Sequence, residues 1–106
     1  MDLKTRNLLD YLSESILHHD VSGMELLEIL DIRSQLASRE PIMEDHEKAR
    51  LEKFDRQLLK LADYLVRRIA EVADLAEMRK RAHVLPSHWW WYLDQLNLSR
   101  QKAVAG

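Results

Sequence analysis

The fold is decided by one stretch of the sequence, residues 41–83, which reads PIMEDHEKARLEKFDRQLLKLADYLVRRIAEVADLAEMRKRAH. Beyond Pro41 it contains neither glycine nor proline, the residues that most often interrupt a helix. Its apolar residues recur at steps of three and four, with a mean of about 3.67, which matches the period of an α-helix. They are Phe54, Leu58, Leu61, Leu65, Ile69, Val72 and Ala76. The pattern predicts one long helix over residues 41–83.

A helix of this length would be too long for its own chain to cover. At about 1.5 Å per residue it would span about 60 Å, whereas a compact chain of about 100 residues has a diameter of about 26 Å. A second apolar stripe, made mostly of small residues, runs beside the first: Leu59, Ala62, Val66, Ala70 and Ala73. Because two short helices cannot cover both stripes, we expect self-association, most simply as a two-fold homodimer. The alternative is a monomer whose long helix is broken near residues 44–50, where the apolar pattern is thinnest.

The residues before Pro41 predict a hairpin of two shorter helices, about residues 3–18 and 24–39. Between them, Ser22 and Glu25 have the spacing of a capping box, in which the serine caps the helix start and the glutamate reaches back. The second helix must end before Pro41, because the residue that precedes a proline is pushed out of helical geometry. Its apolar residues point in nearly all directions, which is typical of a helix buried on more than one side.

The composition supports an all-α fold in a single domain. With two glycines and two prolines in 106 residues, the chain has room for few turns. We expect a helical bundle over residues 1–98, followed by a polar tail, residues 99–106, that frays. The charge is uneven, since residues 1–41 carry eight acidic and four basic residues, whereas residues 79–106 carry one and five. An anionic partner should therefore meet the C-terminal quarter.

Four consecutive aromatic residues stand out near the C-terminus and are predicted to lie in a short helix, about residues 87–96. On an α-helix they point about 100° apart, so we expect Trp89 and Tyr92 to dock on the bundle and Trp90 and Trp91 to flank it. Large aromatic residues are typical interface anchors. The predicted contact surface combines this run with part of the long helix: Trp89, Trp90, Trp91, Tyr92, Leu65, Ile69, Val72 and Ala76. The rings could instead seal the end of the bundle or the dimer seam.

A basic patch beside the aromatic run raises nucleic-acid binding as an alternative. Its residues are Arg79, Lys80, Arg81 and His83. Together with Trp90 they suggest stacking on a single strand. Arg79, Lys80 and Arg81 are also explained by the negative end of a helix dipole, which favours basic side chains. The chain as a whole is acidic, with a formal net charge of −2. Nucleic acid is therefore the less favoured partner.

Paired carboxylates raise an enzymatic alternative. Glu25 and Glu28 form one pair, and Glu52 and Asp55 form another, each three residues apart. On these four residues the sequence resembles the all-α nucleoside triphosphate pyrophosphohydrolases of the MazG type, in which such pairs on facing helices hold Mg²⁺. The resemblance implies a Mg²⁺-dependent hydrolase. A solvated acidic face explains the same residues, because such pairs recur by chance among 18 acidic residues.

The remaining sequence features favour a non-catalytic protein over an enzyme. Glycine-rich phosphate loops and nucleophile elbows require closely spaced glycines, and the chain has only Gly23 and Gly106. We expect no cofactor and no metal. The lack of cysteine agrees with a cytoplasmic location. No apolar run is long enough to span a bilayer, and the N-terminus lacks the order of a signal peptide. The leading prediction is a small helical assembly module that acts as a homodimer and offers a protein partner its tryptophan-rich segment.

Overall fold

Five α-helices and two 3₁₀ helices form the described part of the protein. The structure, a computed structural model, describes residues 3–15 and 22–95. The α-helices are α1 (Leu3–Ser15), α2 (Gly23–Ala37), α3 (Asp45–Lys60), α4 (Ala62–Ala70) and α5 (Leu75–Ala82), and the 3₁₀ helices are Glu40–Ile42 and Trp89–Tyr92. None of the described residues is in a strand. The predicted all-α class is therefore confirmed. The end of the predicted first helix and the predicted tail, residues 99–106, lie outside the described residues.

The predicted hairpin of two short helices is present, and Ser22 starts its second helix. The Ser22 hydroxyl oxygen accepts a hydrogen bond from the Glu25 backbone N–H at 3.2 Å. The predicted cap is therefore confirmed. The glutamate side chain does not return to the backbone, since it accepts a 3.4 Å hydrogen bond from the Ser22 hydroxyl instead.

Helix α2 lies at the centre of the fold. It packs against α1, α4 and the 3₁₀ helix Trp89–Tyr92. These neighbours cover its sides, as its apolar sequence predicts. Its buried apolar side chains are Leu26, Leu27, Ile29, Leu30, Ile32 and Leu36. The core is thus built around α2, and the rest of the described chain wraps it.

The prediction of one helix over residues 41–83 is wrong. Pro41 lies in a 3₁₀ helix, and α3 begins at Asp45, after Glu44. The Glu44 N–H donates to Glu47 Oε1 at 2.9 Å, which secures the start of α3. The helix is interrupted again at Leu61 and over residues 71–74. The alternative, a helix broken near residues 44–50, agrees with the first interruption, which ends at Glu44. The other two, at Leu61 and over residues 71–74, lie farther along the chain.

The interruption at Leu61 is a bend that keeps its hydrogen bonds. The Leu61 N–H donates to the Gln57 carbonyl at 3.1 Å, and the Leu65 N–H donates to the Leu61 carbonyl at 2.9 Å. Leu61 itself has φ −98° and ψ 8°, outside helical values. The bend lets apolar residues on both sides, such as Leu58 and Leu65, enter the same core.

The third interruption, over residues 71–74, is a turn with its own cap. Asp74 accepts a hydrogen bond from the Glu77 N–H at 3.2 Å and so starts α5. The longest axis of the molecule is 44 Å, shorter than the roughly 60 Å of an unbroken helix. The chain therefore folds back on itself, and the length argument for a dimer no longer holds.

The C-terminal aromatic run also differs from the prediction. Trp89–Tyr92 is a 3₁₀ helix, residues 93–95 are helical, and Leu96 lies outside the described residues. Trp90 and Trp91 are buried, at 2% and 8% exposed, whereas Trp89 and Tyr92 are half-buried. Trp90 and Trp91 are the two rings that face α2, where both indole N–H groups donate to Ser34 Oγ.

We predict that replacing Gly23 with alanine destabilises the protein. A Cβ atom at Gly23 would lie 2.5 Å from the Arg68 carbonyl oxygen and 2.7 Å from Val72 Cγ2. We expect Gly23→Ala to lower the free energy of unfolding by about 1–3 kcal/mol, as overpacking does. Urea denaturation followed by circular dichroism measures it.

A double variant separates the two contacts. Because the nearer atom belongs to the backbone, Val72→Ala in the Gly23→Ala background should recover little of the loss. Helix propensity alone predicts the opposite sign, a gain of about 0.5–1 kcal/mol on replacing glycine with alanine. A more stable Gly23→Ala protein would therefore contradict the close approach of α2 and α4.

Candidate functional site

A buried arginine joins three parts of the chain. Arg33, on α2, is 3% exposed. Its Nε donates to Asp55 Oδ1 at 2.8 Å and its Nη2 to Asp55 Oδ2 at 3.0 Å, so α2 is tied to α3 by a two-pronged ion pair. Nη2 also lies 3.5 Å from Glu40 Oε1. Burying a cation is costly unless it is paired and hydrogen-bonded. Asp55 meets both needs at Nε and Nη2, whereas Nη1 is buried without a hydrogen-bond partner among the described residues.

The Trp90 ring covers the guanidinium. Arg33 Cζ lies 4.0 Å from the centroid of the Trp90 ring, a cation–π distance. The His88 ring stacks on Trp90 with centroids 4.7 Å apart, and Trp89 meets Trp90 edge-on at 5.7 Å. The aromatic run is therefore held on α2 by a charged residue as well as by apolar contact.

One serine hydroxyl organises the two buried indoles. Ser34 Oγ accepts hydrogen bonds from Trp90 Nε1 and from Trp91 Nε1, both at 2.9 Å. It also lies 3.2 Å from His88 Nδ1. A hydroxyl has two acceptor positions and one hydrogen. Because the two indoles use both acceptor positions, the hydrogen of Ser34 is the one left for the contact with His88 Nδ1.

A second buried arginine fastens the aromatic run from the other side. Arg79, on α5, donates from Nη1 to the Trp91 carbonyl at 2.9 Å and from Nη2 to Asp94 Oδ2 at 3.1 Å. Its Cζ lies 4.8 Å from the Tyr92 ring centroid. Tyr92 in turn donates its hydroxyl to the Val84 carbonyl at 2.9 Å. The Trp91 carbonyl and the Tyr92 hydroxyl are therefore paired within the chain.

The predicted basic patch is split by this arrangement. Arg79 is buried and paired with Asp94, whereas Lys80, Arg81 and His83 are exposed. Trp90, the ring expected to stack on a nucleobase, is covered by Arg33. The basic residues that remain exposed there are Lys80 and Arg81. Trp90 and Trp91 are buried and cannot stack on a nucleobase beside them.

The predicted contact residues on the former long helix separate into two groups. Leu65 and Ile69 lie in the core of their own chain, whereas Val72 is 48% exposed and Ala76 is exposed. Ala76 and most of the second apolar stripe line an open groove of about 410 Å³, which we call the α4–α5 groove. Its lining residues are Val66, Ala70, Ala73, Asp74, Leu75, Ala76 and Asp94.

The four carboxylates of the hydrolase alternative do not form a metal site. Asp55 is engaged by Arg33, and Glu25 lies at the start of α2 beside Ser22. No group of three or more acidic or histidine side chains able to hold a metal ion occurs within residues 3–15 and 22–95. Glu28 and Glu52 are exposed. A Mg²⁺ ion would therefore have to compete with a buried guanidinium for Asp55.

The acidic groove lies between the end of α2 and α3. It has a volume of about 450 Å³. Its lining residues are Ala37, Glu40, Pro41, Lys48, Leu51, Glu52 and Asp55. Its apolar residues make a floor, and its carboxylates outnumber the one lysine. Because Arg33 pairs with Asp55 and also with Glu40, the charges of the groove that lie outside these ion pairs are those of Glu52 and Lys48.

A second exposed surface combines a leucine with basic residues, and its character is complementary to that of the acidic groove. Leu85 is 61% exposed and lies two residues beyond the left-handed His83 (φ 52°) that ends α5. Lys80 and Arg81 lie in the last turn of α5. Arg81 pairs with Glu77 at 3.2 Å across exposed surface, which is a weak interaction in water. We call Lys80, Arg81 and Leu85 the basic edge.

Comparison with protein-family models, with curated proteins and with solved structures found no match to this chain. Among the helices of the described residues, none combines the length and the apolar character that crossing a bilayer requires.

The sequence interpretation missed both buried arginines. A signal was present for Arg33, which lies four residues after buried Ile29 and three before buried Leu36, on the same face of α2. For Arg79 the position at a helix end suggested only an interaction with the dipole, and its partner Asp94 is fifteen residues away. Sequence spacing gives no sign of a pair that forms across a turn.

We predict that Asp55→Asn strongly destabilises the protein. The change leaves the Arg33 guanidinium buried without its counter-charge, and the loss of one partner of a buried ion pair costs about 3–5 kcal/mol. Thermal and urea unfolding measure the loss. Asp10→Asn is the matched control, because Asp10 pairs with the part-exposed Arg50 and should cost less than about 1 kcal/mol. Equal losses in the two variants would contradict the central place of Arg33.

We predict that Ser34→Ala destabilises the protein by about 2–3 kcal/mol, because it leaves two buried indole N–H groups without an acceptor. Ser38→Ala is the control, since Ser38 donates to the Gln35 carbonyl on the exposed end of α2 and should change stability by less than about 0.5 kcal/mol. Chemical denaturation measures both. A neutral Ser34→Ala would mean that the indoles do not depend on this hydroxyl.

Proposed function

We propose that the protein is a non-catalytic helical module that self-associates as a homodimer. In this proposal the basic edge of one copy, with Leu85 as its apolar anchor, docks in the acidic groove of the other. The observation that supports it is that one chain carries two exposed surfaces of complementary character. This proposal does not require a helix that is too long for its own chain to cover.

The chemistry of the two surfaces matches in both its apolar and its charged parts. Leu85 exposes an aliphatic side chain, and the groove offers the aliphatic residues Ala37, Pro41 and Leu51. Glu52 and Lys80 have no ion-pair partner among the described residues. Pairing them across two copies gains attraction without breaking an existing contact, and such charge matching sets specificity and orientation.

We propose a two-fold arrangement, because each chain carries both surfaces and a two-fold contact uses both of them on each copy. In a two-fold contact, the basic edge of each copy meets the acidic groove of the other. Each dimer would then contain the contact twice. This doubles the buried area, which helps a small surface approach the roughly 1,200 Å² of a stable interface.

Other assignments have less support. The hydrolase alternative would need Asp55 to leave Arg33, and the nucleic-acid alternative would need Trp90 and Arg79 to leave their buried positions. A further protein partner at the aromatic run would meet only the half-buried Trp89 and Tyr92. A cytoplasmic location, expected from the cysteine-free sequence, stays a prediction.

A charge exchange tests the proposed contact. Glu52→Lys and Lys80→Glu should each raise the dimer dissociation constant at least tenfold, about 1.4 kcal/mol, because like charges then face each other. The double variant should return to within about threefold of the wild type. Sedimentation equilibrium at low and high salt measures the constants, and the wild-type dimer should weaken with salt.

Matched controls carry the same charge changes elsewhere. Glu28→Lys and Lys60→Glu alter exposed residues outside both surfaces and should leave the dimer intact. Ala70→Arg blocks the α4–α5 groove; a dimer broken by Ala70→Arg but not by Glu52→Lys would transfer the contact to that groove. A wild-type protein that is monomeric at tens of micromolar would end the proposal.

A further inference from the structure

A recess between α1 and α3 is separate from the acidic groove and the basic edge. It has a volume of about 250 Å³ and is lined by Ser13, Arg50, Lys53, Phe54 and Gln57. Phe54 is only 2% exposed and belongs to the core. The other four residues carry a hydroxyl, a guanidinium, an ammonium and a carboxamide. The wall of the recess is thus rich in hydrogen-bond donors.

The donors in this recess are available. Lys53 and Gln57, one turn apart on α3, have no side-chain hydrogen bond or ion pair among the described residues. Ser13 accepts from Arg50 Nη2 at 3.3 Å, which leaves its own hydrogen free to donate. Arg50 is held in place by Asp10 Oδ1 at 2.8 Å. Its pairing uses one nitrogen of the guanidinium.

The charge around the recess favours an anion. Arg50 and Lys53 contribute two positive charges, and Asp10 contributes one negative charge at the α1 side. A cation would meet two like charges, whereas a tetrahedral oxyanion can accept from several donors at once. Charge-assisted hydrogen bonds of this kind are stronger than those between neutral groups.

We propose that this recess binds a small phosphoryl group, with Lys53, Arg50, Gln57 and Ser13 as its donors. Two positive side chains and two neutral donors that line a small recess fit a phosphate oxyanion. The recess is too small for a large ligand, so the group would be inorganic phosphate or the phosphoryl end of a small phosphomonoester. This site is independent of the proposed dimer contact.

Titration of the full chain with inorganic phosphate tests the proposal. At constant ionic strength, we expect saturable shifts of the amide resonances of Ser13, Lys53 and Gln57 in nitrogen–proton correlation spectra. Ribose 5-phosphate, titrated in parallel, shows the source: tighter binding than phosphate indicates a phosphomonoester, and equal binding indicates phosphate itself. Sodium chloride at the same ionic strength should cause no saturable shift.

Lys53→Gln and Lys60→Gln form a matched pair on the same helix. Lys53→Gln removes an unpaired, exposed cation, so folding should be unaffected while phosphate affinity falls about tenfold. Lys60 lies outside the recess, and Lys60→Gln should leave the affinity unchanged. The proposal is overturned if chloride reproduces the shifts, or if both variants weaken binding equally, since either result means general charge screening.

Discussion

The whole arrangement depends on keeping one positive charge inside the core. Arg33 lies on the most buried helix, and its side chain can stay there only because Asp55 reaches it from α3 and Trp90 covers it from the C-terminal segment. These partners are 22 and 57 residues away in sequence. A single guanidinium therefore sets the position of α3 against α2 and also the position of the aromatic run. Without such a fixed point, the apolar surfaces of α2 could pack in several ways, because apolar contacts are not directional.

The sequence predicted the parts of the fold that follow from local rules. The helical class, the hairpin, the Ser22 cap and the burial of α2 all depend on neighbouring residues. The unbroken helix failed for a physical reason: periodicity tells which face is apolar, but a bend that keeps that face inward leaves the period unchanged. Leu61 is such a bend. The starts of α3 and α5 did leave a trace, since Glu44 with Glu47 and Asp74 with Glu77 have the spacing of helix caps.

The candidate surfaces were less predictable than the fold, because they depend on which charges find partners within the chain. In the sequence the residues of the basic patch are alike in charge. In the structure Arg79 is paired with Asp94, whereas Lys80 has no ion-pair partner among the described residues. The acidic pair Glu52 and Asp55 divides in the same way, since Arg33 takes only Asp55. Free and engaged charges lie three residues or fewer apart. Only tertiary contacts separate the two kinds, and those contacts cross between distant segments.

The shared acceptor at Ser34 has a consequence for how the protein meets water. Three indoles follow one another in the chain, yet two of their N–H groups are held by the half-buried hydroxyl of Ser34, whereas Trp89 has no such hydrogen bond among the described contacts. Adjacent side chains of the same type are thus placed in different solvent regimes. Their indole hydrogens should exchange with deuterium at different rates, the Trp89 hydrogen first, and the slow pair should follow the opening of the contact between α2 and the aromatic run.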